Sequence, residues 1–302
     1  MTDEYVIETR GLTKVFGETR AVDDLNLKVR RGSVFGFLGP NGAGKTTTIK
    51  MLLGLTRPTA GEARVLGLDV REKNVEVRRR VGVVAEDAPL YDHMTVAETL
   101  AFASRLAANW DDKRAAKYRD IFRLPARARV RDLSRGMRGQ LALIIALTPN
   151  PDLLILDEPT AGLDPVMRRE FLSTVLDEVT ARGGTVFMSS HILAEVERVA
   201  DTVGIINNGK LLMVKDMAEL KETEKKVRVH FQVEPDPAIF QHPGIASVEG
   251  QGRRYIVTVT SDLEGVLERL RTVPHFVIDV VDLNLEEIFM QYTGGKSGVR
   301  IQ

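Results

Sequence analysis

The chain has 302 residues, 42 Lys plus Arg against 42 Asp plus Glu, and no cysteine. Its length suits one large domain or two ordinary ones. The balanced charge argues against a nucleic-acid binder held by charge alone, and the lack of cysteine excludes disulfides and thiolate metal sites. The acidic start predicts no signal peptide, and the apolar runs are far shorter than the ~20 residues that span a bilayer. We therefore expect any membrane role to come through a partner.

The first third predicts two layers of strands. Residues 5–9 and 25–29 alternate and indicate an antiparallel layer, whereas residues 33–38 form an apolar run that ends in glycines and precedes a helix at about residues 44–53. Similar short apolar runs recur at residues 81–84, 153–156 and 186–188. Each is followed by helical sequence, which is typical of a parallel sheet with crossover helices. The expected fold class is α/β.

Residues 86–150 predict a helical subdomain. Thr95 followed by Glu98 is the pattern of a capping box and opens one helix. A second amphipathic helix is expected at residues 111–122, before the helix-breaking Pro125.

The composition shifts near Lys221, where the charged stretch 222–226 predicts a linker. We expect an N-terminal domain of residues 1–221 and a small C-terminal α+β domain, accessory or regulatory, of residues 222–302. Its strands and helices are expected at residues 227–233, 254–260, 262–272, 276–281 and 285–292. This order favours a ferredoxin-like arrangement.

Residues 39–46 match the phosphate-loop pattern G-x-x-x-x-G-K-[ST] between an apolar strand and a helix. A triphosphate needs backbone N–H donors wrapped around it, glycine permits the φ-positive turns involved, and the helix N-terminus adds partial positive charge. We expect Lys45 to reach the β- and γ-phosphates and the Thr46 hydroxyl to ligate Mg²⁺. The predicted ATP-binding residues are Gly39, Pro40, Asn41, Gly42, Ala43, Gly44, Lys45, Thr46 and Thr47.

A second apolar strand, residues 153–156, ends in the two carboxylates Asp157 and Glu158. Side chains at the C-terminal end of a buried strand face the ligand crevice. Asp157 is therefore a predicted Mg²⁺ ligand and Glu158 a predicted general base for the attacking water. An ordinary acidic turn is the structural alternative, which the upstream phosphate loop disfavours.

With these motifs the chain resembles the ATPase of ABC transporters over about residues 4–220. Leu-Ser-Arg-Gly-Met at residues 133–137 is similar to the family's signature motif, whose helix N-terminus caps the γ-phosphate held by the other subunit. The resemblance implies this role for Ser134 and Gly136. Residues 161–164, which end at Asp164, are similar to the D-loop that crosses the dimer seam.

The resemblance extends to three single positions. His191 ends a sequence similar to the switch loop, where the family's histidine contacts the γ-phosphate, and Phe16 lies where an aromatic ring stacks on adenine. Glu86 stands where the family carries a glutamine. It is anionic and only accepts hydrogen bonds, which makes it a candidate ligand of Mg²⁺ or water. The structural alternatives are a plain helix N-cap for Ser134, a core aromatic for Phe16 and a structural histidine for His191.

Gly139-Gln140, after the signature, replaces the family's usual Gln-Arg. Glycine inside a helix costs about 1 kcal/mol relative to alanine. We therefore expect the signature helix to begin less stably than usual.

Residues 283–289 resemble part of a domain appended to the ATPases of ABC-2 exporters. The resemblance of residues 4–220 to the ABC transporter ATPases implies a P-loop NTPase of the ABC type, with a mixed central sheet, an antiparallel β subdomain and a helical subdomain. It also implies that the chain binds ATP and Mg²⁺, forms a homodimer or a heterodimer with a second ATPase, and powers export through a separate transmembrane permease at the cytoplasmic face of the membrane.

Two alternatives stay open: a soluble ABC-type ATPase acting on a macromolecular partner, and a nucleotide-dependent regulator that does not hydrolyse ATP.

Overall fold

A computed structural model describes residues 4–86, 89–161 and 163–294. The chain divides into two compact units between Val214 and Lys215. The described residues of the first unit form two β-sheets and those of the second unit form one, and each unit has its own apolar core. None of the described helices is both long enough and apolar enough to cross a bilayer.

An antiparallel layer opens the first unit. Its strands are β1 (Tyr5–Phe16), β2 (Thr19–Leu25), β3 (Lys28–Arg30), β5 (Ala60–Val65) and β6 (Leu68–Asp69). They run in the order β2-β1-β5-β6, with β3 paired to β1. The single strand expected at residues 25–29 is instead interrupted after β2. The cause is Asn26, whose side chain accepts from the Gly11 N–H at 2.8 Å and donates to the Asp24 carbonyl at 2.9 Å.

The main sheet has six strands: β4 (Val34–Leu38), β7 (Val81–Val84), β8 (Leu153–Asp157), β9 (Thr185–Ser190), β10 (Thr202–Asn207) and β11 (Lys210–Asp216). Their order is β11-β10-β4-β9-β8-β7, and the four pairs from β10 to β7 are parallel. Every residue of β4, β8 and β9 is buried, as expected for strands covered on both faces. The predicted parallel sheet is confirmed.

The helices of the first unit are α1 (Lys45–Leu52), α2 (Asn74–Arg80), α3 (Val96–Leu106), α4 (Asp112–Ile121), α5 (Arg135–Leu147), α6 (Pro165–Thr180) and α7 (Leu193–Glu197). The predicted capping box at the start of α3 is confirmed, because the side chains of Thr95 and Glu98 each accept from the other's backbone N–H. Hydrogen bonds from Thr95 hold the pKa of Glu98 below its ordinary value. The second predicted helix is α4, and Asp111 caps it.

The register of the main sheet brings the chemistry-bearing loops together. Leu38, at the end of β4, pairs with Ser190 of β9, and Asp157, at the end of β8, pairs with Ser189. The carboxyl ends of three neighbouring strands therefore lie side by side. Ligands of open α/β sheets bind at such an edge.

The second unit contains α8 (Met217–Thr223), β12 (Lys225–Phe231), β13 (Ile245–Gln251), β14 (Arg254–Val259), α9 (Leu263–Arg271), β15 (His275–Asp282) and α10 (Leu285–Thr293). Its antiparallel sheet has the order β13-β14-β12-β15. This is the ferredoxin-like order, with the first crossover helix reduced to a short 3₁₀ turn at Pro237–Phe240. Strand β13 was absent from the sequence-based expectation.

The charged stretch at residues 222–226 is not a linker. It ends α8 and begins β12, and the break between the units lies before it, rather than at the expected 221/222 boundary. Lys225 pairs with Asp282, and Lys226 with Glu287. These ion pairs within the second unit explain why a run of charges here belongs to regular structure.

Candidate functional site

The phosphate-loop pattern forms the connection between β4 and α1. A Cβ at Gly39 would lie 2.4 Å from the carbonyl oxygen of Ile206, and a Cβ at Gly44, where φ is +109°, would lie 2.5 Å from that of Ala21. Both positions therefore exclude any side chain. Gly42 also has a positive φ, but a Cβ there would meet no described atom within 4 Å. The loop is therefore tightly packed at Gly39 and Gly44, and it has free space beside Gly42.

Lys45 projects into this loop from the first residue of α1. Its side chain is only 6% exposed. The ammonium donates to the Gly39 carbonyl at 2.7 Å and to the Pro40 carbonyl at 3.3 Å. It also lies 3.0 Å from Oε1 of Glu158. The structure therefore brings the predicted phosphate-binding cation and the predicted general base into one buried ion pair.

Glu158 is the centre of the cluster. Its side chain is 7% exposed, and Oε2 lies 2.6 Å from Nδ1 of His191. The other oxygen, Oε1, accepts no hydrogen bond of good geometry from a described group, so its contact with Lys45 is an electrostatic one. The backbone of Glu158 has a left-handed φ of 48°, a conformation that costs roughly 1–3 kcal/mol in a non-glycine residue.

Asp157, the other predicted carboxylate, is 3% exposed. It accepts a hydrogen bond at 2.6 Å from the hydroxyl of Ser189, which in turn accepts from the Glu158 N–H at 3.1 Å. Ser189 therefore orients both acidic residues, a role that sequence reasoning missed. The available signal was its position, directly opposite Asp157 on the adjacent parallel strand.

The residues at this edge fit a magnesium ion. A buried carboxylate from Asp157 and a hydroxyl from Thr46 are hard oxygen donors, and Mg²⁺ bound with nucleotide typically takes one or two protein ligands and completes its shell with water and phosphate oxygens. Consistent with so few protein ligands, the described residues hold no cluster of three or more acidic or histidine side chains suited to a metal. The proposed metal contact of Glu86 stays a prediction.

The signature residues begin α5. Ser134 is exposed and caps this helix by accepting from the Met137 N–H at 3.2 Å. Gly136 is buried, and a Cβ there would lie 3.0 Å from a methyl carbon of Leu163 and 3.1 Å from that of Met167. Glycine at this position therefore lets α5 pack closely against the start of α6. The nucleotide contacts of Ser134 and Gly136 stay predictions.

The D-loop residues connect β8 to α6. Asp164 is exposed and caps α6 through hydrogen bonds from the N–H groups of Val166 and Met167, at 2.9 and 3.0 Å. Gly162 lies outside the described residues. The predicted dimer-seam role of Asp164 is compatible with its exposure and stays a prediction.

Phe16 ends β1 with a ring that is 51% exposed. The Lys14 ammonium lies 4.7 Å from the ring centroid. This exposure rejects the alternative of a core aromatic and leaves the ring accessible to a planar ligand. The predicted stacking on adenine is untested.

Glu86 lines a cleft of about 270 Å³ together with Arg135, Gly139 and Glu158. It is exposed. The cleft thus connects the position of the family's glutamine, the start of the signature helix and the predicted general base.

Replacing Gly139 tests how much the glycine lowers the stability of the signature helix. A Cβ at Gly139 would meet no described atom within 4 Å. We therefore expect Gly139→Ala to raise the free energy of unfolding by roughly 0.5–1 kcal/mol through helix propensity alone, measured by urea denaturation. The control is Gly136→Ala on the same helix, which should lower it because of the contacts with Leu163 and Met167. A destabilised Gly139→Ala would contradict the open space described around this residue.

Comparison with known proteins identifies the family. The family model described as ABC transporter matches residues 22–161. The bacitracin transport ATP-binding protein BcrA of Bacillus licheniformis is 37% identical over 306 aligned positions, covering 96% of this chain and 98% of the relative. The chain belongs to the ABC transporter family of ATP-binding proteins. This ABC ATPase is also 43% identical to the daunorubicin/doxorubicin resistance ATP-binding protein DrrA of Streptomyces peucetius, over 72% of this chain and 67% of that protein.

The solved structures agree with this assignment. An ATP-binding subunit of an ABC transporter superposes with a TM-score of 0.66 at 28% identity and covers 72% of this chain and 92% of its own. The predicted fold, a P-loop NTPase of the ABC type, is confirmed, as is the predicted enzyme class, an ATPase.

Proposed function

We propose that this ABC ATPase hydrolyses ATP to power export through a separate membrane-spanning permease. The observation that carries the proposal is the buried ion pair of Lys45 and Glu158, joined by the partly exposed His191, beside the phosphate loop. The transport function is supported by the relatives: BcrA, which aligns over nearly the full chain, is named for bacitracin transport, and DrrA for resistance to daunorubicin and doxorubicin.

In the proposed hydrolysis, the loop N–H groups and Lys45 bind the β- and γ-phosphates. The Lys45 ammonium can then exchange its contact with Glu158 for phosphate oxygens, which releases the carboxylate to accept a proton from the attacking water. His191, already 2.6 Å from Glu158, orients that carboxylate and reaches the γ-phosphate. Thr46 and Asp157 would hold Mg²⁺, which would supply positive charge to neutralise the phosphates.

We propose that each complete site needs a second ATPase subunit, either another copy or a different chain. The support is the exposed N-terminus of α5 at Ser134, which carries Arg135 and no acidic residue in its first turn. Such a helix end attracts anions and suits the γ-phosphate held by the partner. Because ATP contacts both subunits only in the closed dimer, binding shifts the population toward closure, and hydrolysis reopens it.

The proposed permease contact lies between residue 86 and α3, at the cytoplasmic face of the membrane. Residues 87 and 88 lie outside the described residues. Tyr91, 52% exposed, packs edge-on against the half-exposed Phe102 with ring centroids 5.6 Å apart. The neighbouring Asp92 pairs with Arg138 of the signature helix at 2.6 Å. The Asp92–Arg138 ion pair would therefore transmit a movement of this aromatic pair to the signature helix.

Two alternatives make different predictions. A nucleotide-dependent regulator would not need a carboxylate and a histidine held together beside the phosphate loop, so the Glu158–His191 contact disfavours it. A soluble ATPase with a macromolecular substrate would have no membrane-spanning partner.

Affinity capture in the native membrane tests the proposal. We expect the tagged chain to co-purify in detergent with one polytopic membrane protein, and that protein to stimulate its ATPase activity after reconstitution. Tyr91→Ala with Phe102→Ala should reduce this capture at least tenfold, because about 1.4 kcal/mol of lost binding suffices for that factor. The control is Phe276→Ala, another exposed aromatic, which belongs to the second unit. Capture of ribosomal or nucleoid proteins instead would favour the soluble alternative.

A further inference from the structure

A second polar cluster lies behind the catalytic one. The carboxylate of Glu195, on α7, accepts from the Thr160 hydroxyl at 2.5 Å through Oε2 and pairs with Arg168 at 3.3 Å through Oε1. Arg168, on α6, also donates from Nε to the carbonyl of Leu163 at 2.8 Å. The carboxylate on α7 thus binds both the loop after β8, at Thr160, and the first turn of α6, at Arg168. We call these four residues the Glu195 clamp.

The clamp ties together the two loops that supply the catalytic groups. Thr160 lies two residues after Glu158, and Glu195 lies four residues after His191. The Glu195–Thr160 hydrogen bond therefore fixes the distance between the loop that carries the carboxylate and the loop that carries the histidine. Arg168 adds the D-loop to the same unit through Leu163.

The clamp also faces a strained backbone. Glu158 has a left-handed φ of 48°, and a non-glycine residue keeps such a conformation only where the surrounding structure over-determines it. The contacts on the amino-terminal side come from Ser189, which binds the Glu158 N–H. On the carboxyl-terminal side, Thr160 is 1% exposed and is bound by Glu195. The Ala161 N–H also donates to the Glu158 carbonyl at 3.1 Å, so releasing the Glu195 contact would remove one of several restraints on the backbone at Glu158.

We propose that Glu195 and Arg168 are positioning residues for ATP hydrolysis, which hold Glu158 and His191 in their reactive arrangement and couple that arrangement to the D-loop. The inference rests on the proposed roles of Glu158 and His191. Neither Glu195 nor Arg168 contacts the phosphate loop in any described hydrogen bond or ion pair. Their loss should therefore reduce turnover and leave nucleotide binding intact.

The burial of the pair decides the size of the effect. The side chains of Glu195 and Arg168 are 11% and 30% exposed. Breaking a largely buried pair leaves an uncompensated charge, whereas surface pairs contribute little. Arg80 and Asp152 in the same unit form a matched surface pair at 3.1 Å with side chains 45% and 52% exposed.

The test compares steady-state kcat and ATP affinity in the full-length chain. We expect Glu195→Gln and Arg168→Met each to lower kcat by roughly tenfold, with Kd for ATP unchanged within about twofold. The double variant should be no slower than the single variants, because both remove the same interaction. Thr160→Ser keeps the hydroxyl and should retain kcat, whereas Thr160→Val should not. Asp152→Asn is the control and should match the wild type.

The outcomes separate the clamp from the catalytic assignment. An inactive Glu158→Gln chain together with fully active Glu195→Gln and Arg168→Met variants would overturn the clamp alone. An active Glu158→Gln chain would overturn the catalytic assignment on which it rests. A parallel loss of kcat, ATP affinity and melting temperature in Glu195→Gln would mean a purely structural role. Additive losses in the double variant would also contradict the proposal.

Discussion

Glu158→Gln is expected to lower the ATPase kcat by roughly 10²–10⁴-fold, the usual contribution of a positioned general base. Glutamine preserves the size of the side chain and can still accept a hydrogen bond from His191, but it cannot take a proton from water. The geometry at His191 should therefore survive while the chemical step fails. Phosphate release measured at saturating Mg·ATP gives the comparison.

Unlike kcat, the affinity for ATP should not be reduced by Glu158→Gln. The wild-type carboxylate lies 3.0 Å from the Lys45 ammonium, so phosphate must compete with it for this cation. Removing the negative charge removes the competitor, and Kd for ATP should stay equal or fall. With hydrolysis blocked, the ATP-bound dimer should accumulate, which light scattering or native mass spectrometry would detect.

A suitable control is Glu178→Gln. Glu178 is another partly buried carboxylate of the first unit, where burial is outweighed by hydrogen bonds from Lys117 and Tyr118 that lower its pKa. It lies at the end of α6, away from the phosphate loop in sequence and contacts, and kcat should be unchanged. Normal hydrolysis by Glu158→Gln would refute the role of Glu158, whatever the behaviour of the dimer.

The sequence predicted the parts of the fold that local patterns encode. Uninterrupted apolar runs indicated the buried strands β4, β8 and β9 because a parallel sheet covers both faces, and the phosphate loop is a contiguous motif. Strand β13 was missed because its residues are mostly half-exposed or exposed and include Gly250, which interrupts the alternation that marks a strand. The charged start of β12 was mistaken for a linker because its ion-pair partners lie over 50 residues away.

The contacts between the residues of the candidate site could not be predicted from local sequence patterns either. Lys45, Glu158 and His191 were each predicted from motifs, but their mutual contacts depend on the order of the strands, which no local pattern specifies. Ser189 and Glu195 were missed because serine and glutamate are common residues whose roles here come only from long-range neighbours. For Phe16, the sequence favoured an exposed stacking ring and left a core aromatic as the alternative, which the exposure of the residue rejects.

Lys45→Met is expected to weaken ATP binding by roughly 100-fold, because a desolvated ammonium that pairs with phosphate contributes on the order of 3 kcal/mol. Methionine keeps the unbranched stem of the side chain without its ammonium group. Titration calorimetry with Mg·ATP measures the change. The matched control is Lys50→Met, which removes the same charge from an exposed position on α1 and should alter Kd by less than about threefold. An equal loss in both variants would mean that only general electrostatic attraction is at work.

The stability of the same variant provides a second, independent check on the buried pair. Lys45→Met leaves the Glu158 carboxylate 7% exposed without its cation, and an uncompensated buried charge typically costs several kcal/mol. The melting temperature of the nucleotide-free chain should therefore fall. Adding Glu158→Gln removes the second charge and should restore much of the loss, because a neutral pair of similar volume carries no such penalty. If the two substitutions instead destabilise additively, Lys45 and Glu158 are not paired in the nucleotide-free protein, and the proposed exchange of Lys45 from carboxylate to phosphate has no basis.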